Sequence, residues 1–245
     1  MTEQELLSTL RKTITDFNLI EEGDNIGVGM SGGKDSLVLL ALLKAYQRFC
    51  PQKFVLKAFT IDLGFDMNYS PIENFCKQIA VEYQVHKTQI AHVAQEKNAK
   101  NPCSLCANMR RGSLCELLSS QGYNKLALGH HADDAIDTML LSLCYEGRFS
   151  TLAPISYMTR TNITVIRPLI CIKEKDIISY AIDMPIVANK CPVDKLTKRQ
   201  KMKEILNCLE TSIPDIRNKV FGAIKNIDSY NLWDKSNQKY IDTKK

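Results

Sequence analysis

The sequence predicts an α/β fold, a parallel sheet with helices on both faces, on three grounds. Short apolar runs of strand type alternate with stretches of helical periodicity along most of the chain. A glycine-rich turn stands between the first strand and the helix that follows it. No internal repeat or low-complexity linker breaks the alternation.

The elements follow in order. Leu6, Leu7, Leu10, Ile14 and Phe17 fall on one helical stripe, which predicts an amphipathic lead-in helix from Glu5 to about Phe17. Asn25 to Met30 reads as a short buried strand, followed by the glycine turn and a helix carrying Leu37, Leu40, Ala41 and Leu43. A second strand spans Phe54 to Ile61. The next helix starts near Ser70, where Ser70, Pro71 and Glu73 predict a capping box with proline at the first helical position. Val85 to Ile90 is a weaker third strand, and a polar loop leads to a helix over Ala107 to Gln121. Lys125 to Gly129 is a short strand, Asp133 to Tyr145 a helix and Thr164 to Arg167 a fifth strand. Right-handed crossovers between such strands leave ligands to bind beyond their carboxyl ends. The expected organisation is a helical lead-in over 1–23, the α/β domain over 24–190 and a smaller helical part over 191–245.

Composition narrows the class. With 245 residues, 44% hydrophobic and 24% charged, the chain is neither disordered nor fibrous and is long enough for a real core. No stretch approaches the roughly 20 apolar residues of a membrane span, and an N-terminus bearing Glu3 and Glu5 is not a secretory signal. A cytoplasmic protein with no membrane partner is expected. Nine cysteines, an odd number in a chain of this length, read as thiols, metal ligands or core residues rather than disulfides. A net charge of +5 permits an anionic partner.

The glycine loop, Met30-Ser31-Gly32-Gly33-Lys34-Asp35-Ser36, is placed to bind phosphate, because its glycines admit a close anion and helix N-terminal N–H groups point at it. A Walker A loop would need glycine where Val28 stands and a hydroxyl where Asp35 stands, so it fails. A dinucleotide fingerprint matches Gly27-Val28-Gly29-Met30-Ser31-Gly32, with Asp62 as its acidic partner, but it truncates the first strand and leaves Lys34, Asp35 and Ser36 unexplained. An ordinary glycine turn leaves them unexplained too. Gly129-His130-His131-Ala132-Asp133-Asp134 opens another helix after a strand. Its carboxylates suit the helix dipole, yet beside the loop Asp134 and Asp133 are candidates for Mg2+ or for the reacting base.

Cys103-Ser104-Leu105-Cys106, expected on a loop entering a helix, and the isolated Cys191 could converge on one metal or on corners of a cluster. Completion by Cys115 or a histidine, and a redox dithiol, remain open alternatives. Cys50, Cys76, Cys115, Cys144, Cys171 and Cys208 read mostly as packing.

Ser31-Gly32-Gly33-Lys34-Asp35-Ser36 resembles the pyrophosphate loop of ATP-pyrophosphatases. Together with Asp16-Phe17-Asn18, Ile20-Glu21-Glu22-Gly23-Asp24, Cys103-Ser104-Leu105-Cys106, Arg110-Arg111-Gly112, Leu128-Gly129-His130-His131, Asp133-Asp134, Ile166-Arg167-Pro168-Leu169 and Glu174-Lys175-Asp176-Ile177, it is similar to the tRNA 2-thiocytidine synthetase family. The likeness runs in order from about residue 14 to 206. It implies the PP-loop, adenine nucleotide alpha-hydrolase-like fold, with ATP held by Ser31, Gly32, Gly33, Lys34, Asp35, Ser36, Asp62, Gly129 and His130. It also implies catalytic roles for Lys34, Asp35, Asp134 and Asp133, and a 4Fe-4S cluster on Cys103, Cys106 and Cys191. Two departures bear on the target base. Ala188 stands where the family often has a further cysteine, and Thr60-Ile61-Asp62-Leu63-Gly64-Phe65 looks more like the 2-thiouridine relatives.

The implied chemistry needs both sites: ATP adenylates a pyrimidine C2 oxygen, pyrophosphate leaves, and sulfur then displaces AMP. Expected partners are tRNA, held by Arg110, Arg111, Lys198 and Arg199 with Lys195, Lys201 and Lys203 nearby, and a donor of sulfide or desulfurase-derived sulfur. A homodimer is also possible. A non-catalytic metal-cluster module that binds tRNA would not need Lys34 and Asp35, and a nicotinamide dehydrogenase would have no use for three such cysteines.

Overall fold

The computed structural model describes residues 1–97, 102–187, 191 and 198–226. Helix α1 (Glu3–Asp16) leads into β1 (Asn25–Gly29), α2 (Lys34–Tyr46), β2 (Val55–Asp62), α3 (Ser70–Gln78), β3 (Glu82–Lys87), α4 (Ile90–Lys97) and α5 (Pro102–Ser120). Then come β4 (Lys125–Ala127), α6 (Ala132–Leu141) with a π-turn at Ser142–Glu146, β5 (Ile155–Met158), β6 (Ile163–Ile166), α7 (Glu174–Tyr180), α8 (Lys198–Ser212) and α9 (Ile216–Lys225). The strands form one sheet in the order β3-β2-β1-β4-β6-β5, parallel except for β5, which runs antiparallel to β6 at the edge.

Apolar side chains on the two faces of the sheet make two cores. Leu6, Leu10 and Ile14 of α1 join the all-apolar run Leu37–Leu40 of α2, Ile72 of α3 and Ile177 of α7 on one face. Ile90 of α4 and Leu114, Cys115 and Leu118 of α5 cover Phe59, Ile61, Leu126 and Val165 on the other. Strand β1 lies between β2 and β4, so the chain winds one way from β1 to β3 and the other way from β4 onward. Loops leaving β1 and β4 therefore splay apart at this switch point, where open α/β sheets bind ligands.

Three predicted elements are corrected. The third strand is Glu82–Lys87 rather than Val85–Ile90: the ladder with β2 ends where Thr88 donates its N–H to the Asp62 carbonyl at 2.9 Å, and Ile90 already opens α4. Ser70 is the first residue of α3 and not its cap. Tyr69 holds the cap position, and the Ser70 N–H donates to Asn68 Oδ1 at 3.0 Å. The helix expected from Ala107 begins at Pro102, so Cys103 and Cys106 sit on its opening turns rather than on a loop; proline suits the first helical position because its missing N–H would have no partner there. Helix α4 and the edge strand β5 had no counterpart in the sequence reading.

Candidate active site

The loop after β1 is shaped by its own side chains. Ser36 Oγ donates to the Gly33 carbonyl at 2.9 Å and accepts from the Ser31 N–H at 3.2 Å, which folds the turn back onto the first residues of α2. Gly32 has φ +83°, and a Cβ there would lie 3.1 Å from Val187 Cβ, so both conformation and space demand glycine. Gly29 and Gly33 leave the turn's N–H groups beside a cavity, at the N-terminus of a 13-residue helix. Gly129 brings the β4 loop against it: a Cβ at 129 would sit 2.9 Å from the Asp35 carbonyl carbon and oxygen.

This contact gathers the charged residues. Lys34 Nζ lies 2.9 Å from Glu174 Oε1 and 3.2 Å from Asp35 Oδ1. Burial works against the ammonium, but the two carboxylates outweigh it and the Lys34 pKa is raised. Burial would likewise raise Glu174, yet Lys34, Lys203 and His131 bring it down to about 2, so it stays ionised. His131 caps α6, and its N–H donates to Asp134 Oδ2 at 3.1 Å. Asp134 Oδ1 meets Arg199 at 3.0 Å; Asp133 accepts the Glu174 N–H at 2.7 Å and faces Arg217 at 3.2 Å. Burial pushes His130 down to about 4, leaving a neutral imidazole at neutral pH.

Two cavities open here. One of about 420 Å³ is lined by Ser36, Asn108, Leu128, His130, Asp134 and Arg167; the other, of about 510 Å³, by Gly33, Tyr69, Cys103, Cys106, Val187 and Cys191. They share Ser31, Asp35, Ile61, Ala107 and Arg110 as a common wall. The first thus runs along the glycine loop and the His-Asp-Asp helix, and the second holds the three predicted cysteines. Burial raises the Cys106 thiol pKa, with Arg110 opposing it and Cys191 and Cys103 close enough to add to it. Soft thiols on one cavity wall suit iron or zinc. Among the described residues, no group of three or more His, Cys, Asp and Glu side chains is gathered tightly enough to hold a metal ion as it stands.

Other predicted residues lie elsewhere than expected. Asp62 accepts the Gly64 N–H at 3.0 Å and the Tyr69 hydroxyl at 3.2 Å, closing the loop after β2; its neighbours Thr60, Ile61 and Leu63 line the cavities and Asp62 itself does not. Arg110 points inward and donates to the Met30 carbonyl at 3.4 Å, while Arg111 reaches Asn108 at 3.1 Å. Lys198 sits 4.6 Å over the Tyr145 ring. Lys195 and Ala188 lie outside the described residues. Of the remaining cysteines, Cys76 and Cys115 are buried as packing requires, but Cys144 and Cys208 are exposed. Sequence reasoning missed Glu174 and Arg217 as site residues, and named His131 only within the His-His-x-Asp-Asp run as a possible holder of a divalent metal. Glu174 stands in a run already matched to the family, but its contact with Lys34 spans 140 residues and follows only from the sheet order.

A loop of this geometry at the switch point of a parallel sheet is the phosphate grip of PP-loop proteins, and the PP-loop domain family matches residues 3–187. Curated relatives extend the match to nearly the whole chain. A "tRNA-cytidine(32) 2-sulfurtransferase" of Geobacter metallireducens is 38% identical over 93% of this chain and 91% of its own; one of Methylobacillus flagellatus is 36% identical over 94% and 78%. The chain belongs to the tRNA-cytidine 2-sulfurtransferase group of the PP-loop family. Among solved structures, the U34-tRNA thiolase NcsA from Methanococcus maripaludis with its 4Fe-4S cluster superposes with a TM-score of 0.75 at 24% identity, covering 94% of this chain and 81% of that one. That likeness carries the fold.

Proposed function

We propose that this protein is an ATP-dependent tRNA thiolase that adenylates the C2 oxygen of a cytidine and replaces it with sulfur. The observation that carries this reading is the common wall: the phosphate loop and the three cysteines face one another across Ser31, Asp35 and Arg110. Activation and sulfur delivery thereby meet at one base. The printed names of the relatives supply the cytidine. The alternative of 2-thiouridine, suggested by Thr60–Phe65, has no structural support beyond a shared fold.

The residues act as follows. ATP lies along the loop with its β and γ phosphates on the N–H groups that open α2, while Lys34 stabilises the charge that develops on departing pyrophosphate. Glu174 holds Lys34 in place. Asp35, Asp133 and Asp134 offer the hard oxygen donors that Mg2+ prefers, next to where the phosphates lie. The neutral His130 and the Arg167 guanidinium line the nucleotide cavity. Cys103, Cys106 and Cys191 would hold a 4Fe-4S cluster, which with only three thiolates supplies an open iron position for sulfur. Arg110, between both cavities, faces the reacting region and not the outer surface. The remaining partners, a sulfide-level donor and a second subunit, belong to the same reading. Among the described residues no helix is long and apolar enough to cross a membrane, and the protein would work in the cytoplasm with its tRNA.

The test uses anaerobically prepared, cluster-loaded protein with Mg-ATP, sulfide and unmodified tRNA. Nucleoside mass spectrometry should show 2-thiocytidine, with AMP and pyrophosphate formed and no ADP. Thiolation without ATP, or 2-thiouridine in its place, would overturn the assignment.

A further inference from the structure

Outside the two cavities, the most unusual surface is the lobe that follows α6. The helix widens into the π-turn Ser142–Glu146, a conformation rare enough to mark function, and ends on Gly147 at φ 62°. Eight successive residues, 143–150, are exposed, among them Leu143 at 40%, Tyr145 at 44% and Phe149 at 59%. This is an ordered protrusion, tied down at its foot. Thr151 Oγ1 donates to the Ala135 carbonyl at 2.6 Å, Leu152 lines the nucleotide cavity, and the Ala153 carbonyl accepts from Arg167 at 2.6 Å. Its flank is held by α8, where Lys198 stands 4.6 Å over the Tyr145 ring and the next residue, Arg199, bonds Asp134 and Thr138.

A base whose C2 is to be attacked must leave its stack, so its neighbours present unstacked faces. Aromatic rings interleaved with cations are the surface that receives such faces together with their phosphates. Tyr145 and Phe149 provide the rings and Lys198 the cation, while Arg148 is paired with Glu146 and Arg199 with Asp134; the whole begins at the rim of the nucleotide cavity, which Leu152 lines. A protein interface would draw on the same aromatic residues and on arginine, so it is the lysine and the continuity with the nucleotide cavity that favour the tRNA. We propose that the lobe is a stacking platform for the unpaired nucleotides flanking the target cytidine of the tRNA, with Phe149 under a base and Lys198, seated on the Tyr145 ring, at a neighbouring phosphate. The proposal rests on the tRNA-thiolation reading and specifies how its substrate is held.

The experiment measures tRNA dependence with the full-length, cluster-loaded enzyme. Tyr145→Ala and Phe149→Ala should each weaken tRNA binding by roughly tenfold, with ATP KM and the visible absorption of the cluster at wild-type values. Phe149→Trp should bind as well as wild type, and Phe149→Leu should not, because leucine is apolar but has no π face. Equal tRNA affinity for Phe149→Leu and wild type would overturn the platform while leaving tRNA thiolation intact. Light scattering on the same variants gives a second overturning result: conversion of a dimer to a monomer by Phe149→Ala would make the lobe a protein interface. If wild-type enzyme thiolates no tRNA, the underlying function fails instead, and the control distinguishes the two.

Discussion

Lys34 and Glu174 form the hinge of the chemistry at the level of single residues. In the proposed mechanism their 2.9 Å contact would orient the ammonium before ATP arrives, so that little reorganisation would accompany the departure of pyrophosphate. Lys34→Ala should therefore lose AMP formation by a hundredfold or more, about 3 to 4 kcal/mol of transition-state stabilisation, with its cluster absorption intact. Glu174→Gln keeps the shape and a weaker bond; it should slow adenylation about tenfold, the size of one charge-assisted hydrogen bond. Single-turnover AMP formation measures both. Asp137 sits one turn beyond Asp134, fully buried, with no hydrogen-bond donor on either oxygen. Burial pushes its carboxyl up to about 6, against the pull of Lys203 and Arg199. A raised acid favours the folded state below its unfolded pKa and forfeits that advantage as pH climbs toward 6. Asp137→Asn should accordingly raise the melting temperature at pH 8 and not at pH 4, and parallel thermal melts across that range would show the difference. A variant that melts lower at both pH values would show that the carboxylate is favourably partnered.

Elements carry the next set of consequences. Cys103 and Cys106 are held by the opening of α5, whereas Cys191 follows α7 in the chain and lines the same cavity, so the thiol set joins segments distant in sequence. Cys103→Ala, Cys106→Ala and Cys191→Ala should each lose the broad visible absorption of an iron–sulfur cluster, and exposed Cys208→Ala should retain it; iron retained in Cys191→Ala would remove that residue from the set. Elements also show what sequence could reveal. The strand–loop–helix unit around Ser31–Ser36 was legible because an apolar run, glycines and an apolar helix follow in direct succession. Helix α4 was not, because its inward positions are Ile90, Ala91 and Ala94, too small and too few to give a clear helical period. Strand β5 escaped because an antiparallel edge strand needs only four residues here, two of them exposed, Ile155 and Tyr157. Arg199 was read as part of a basic helix face, since a one-dimensional charge run does not show that α8 packs on α6 and begins at Asp134.

Over the whole molecule, stability and chemistry are concentrated at opposite ends of the sheet. At the end remote from the loop, Lys125 and Asp24 are both buried and paired at 2.7 Å, and Asn124, the Glu21 N–H and the Leu19 carbonyl satisfy the remaining valences. Removing one partner strands the other charge in the core. Asp24→Ala should therefore cost about 3 to 5 kcal/mol in chemical denaturation. Below its melting temperature it should still cleave ATP as the wild type does; a loss of adenylation in folded protein would contradict this separation. The common wall between the two cavities has a further effect on the economy of the cell. In the proposed mechanism the loop, Lys34 and the acidic helix would activate the base without any of the thiols. If sulfur fails to arrive, water can attack the adenylated carbon, returning the original cytidine and releasing AMP. An enzyme starved of sulfur would thus become a slow ATP drain, with a ratio of AMP to thiolated nucleoside that rises as sulfide falls. In a cell, that leakage would be restrained by tight contact between donor and cavity, or by tRNA that stays bound only briefly.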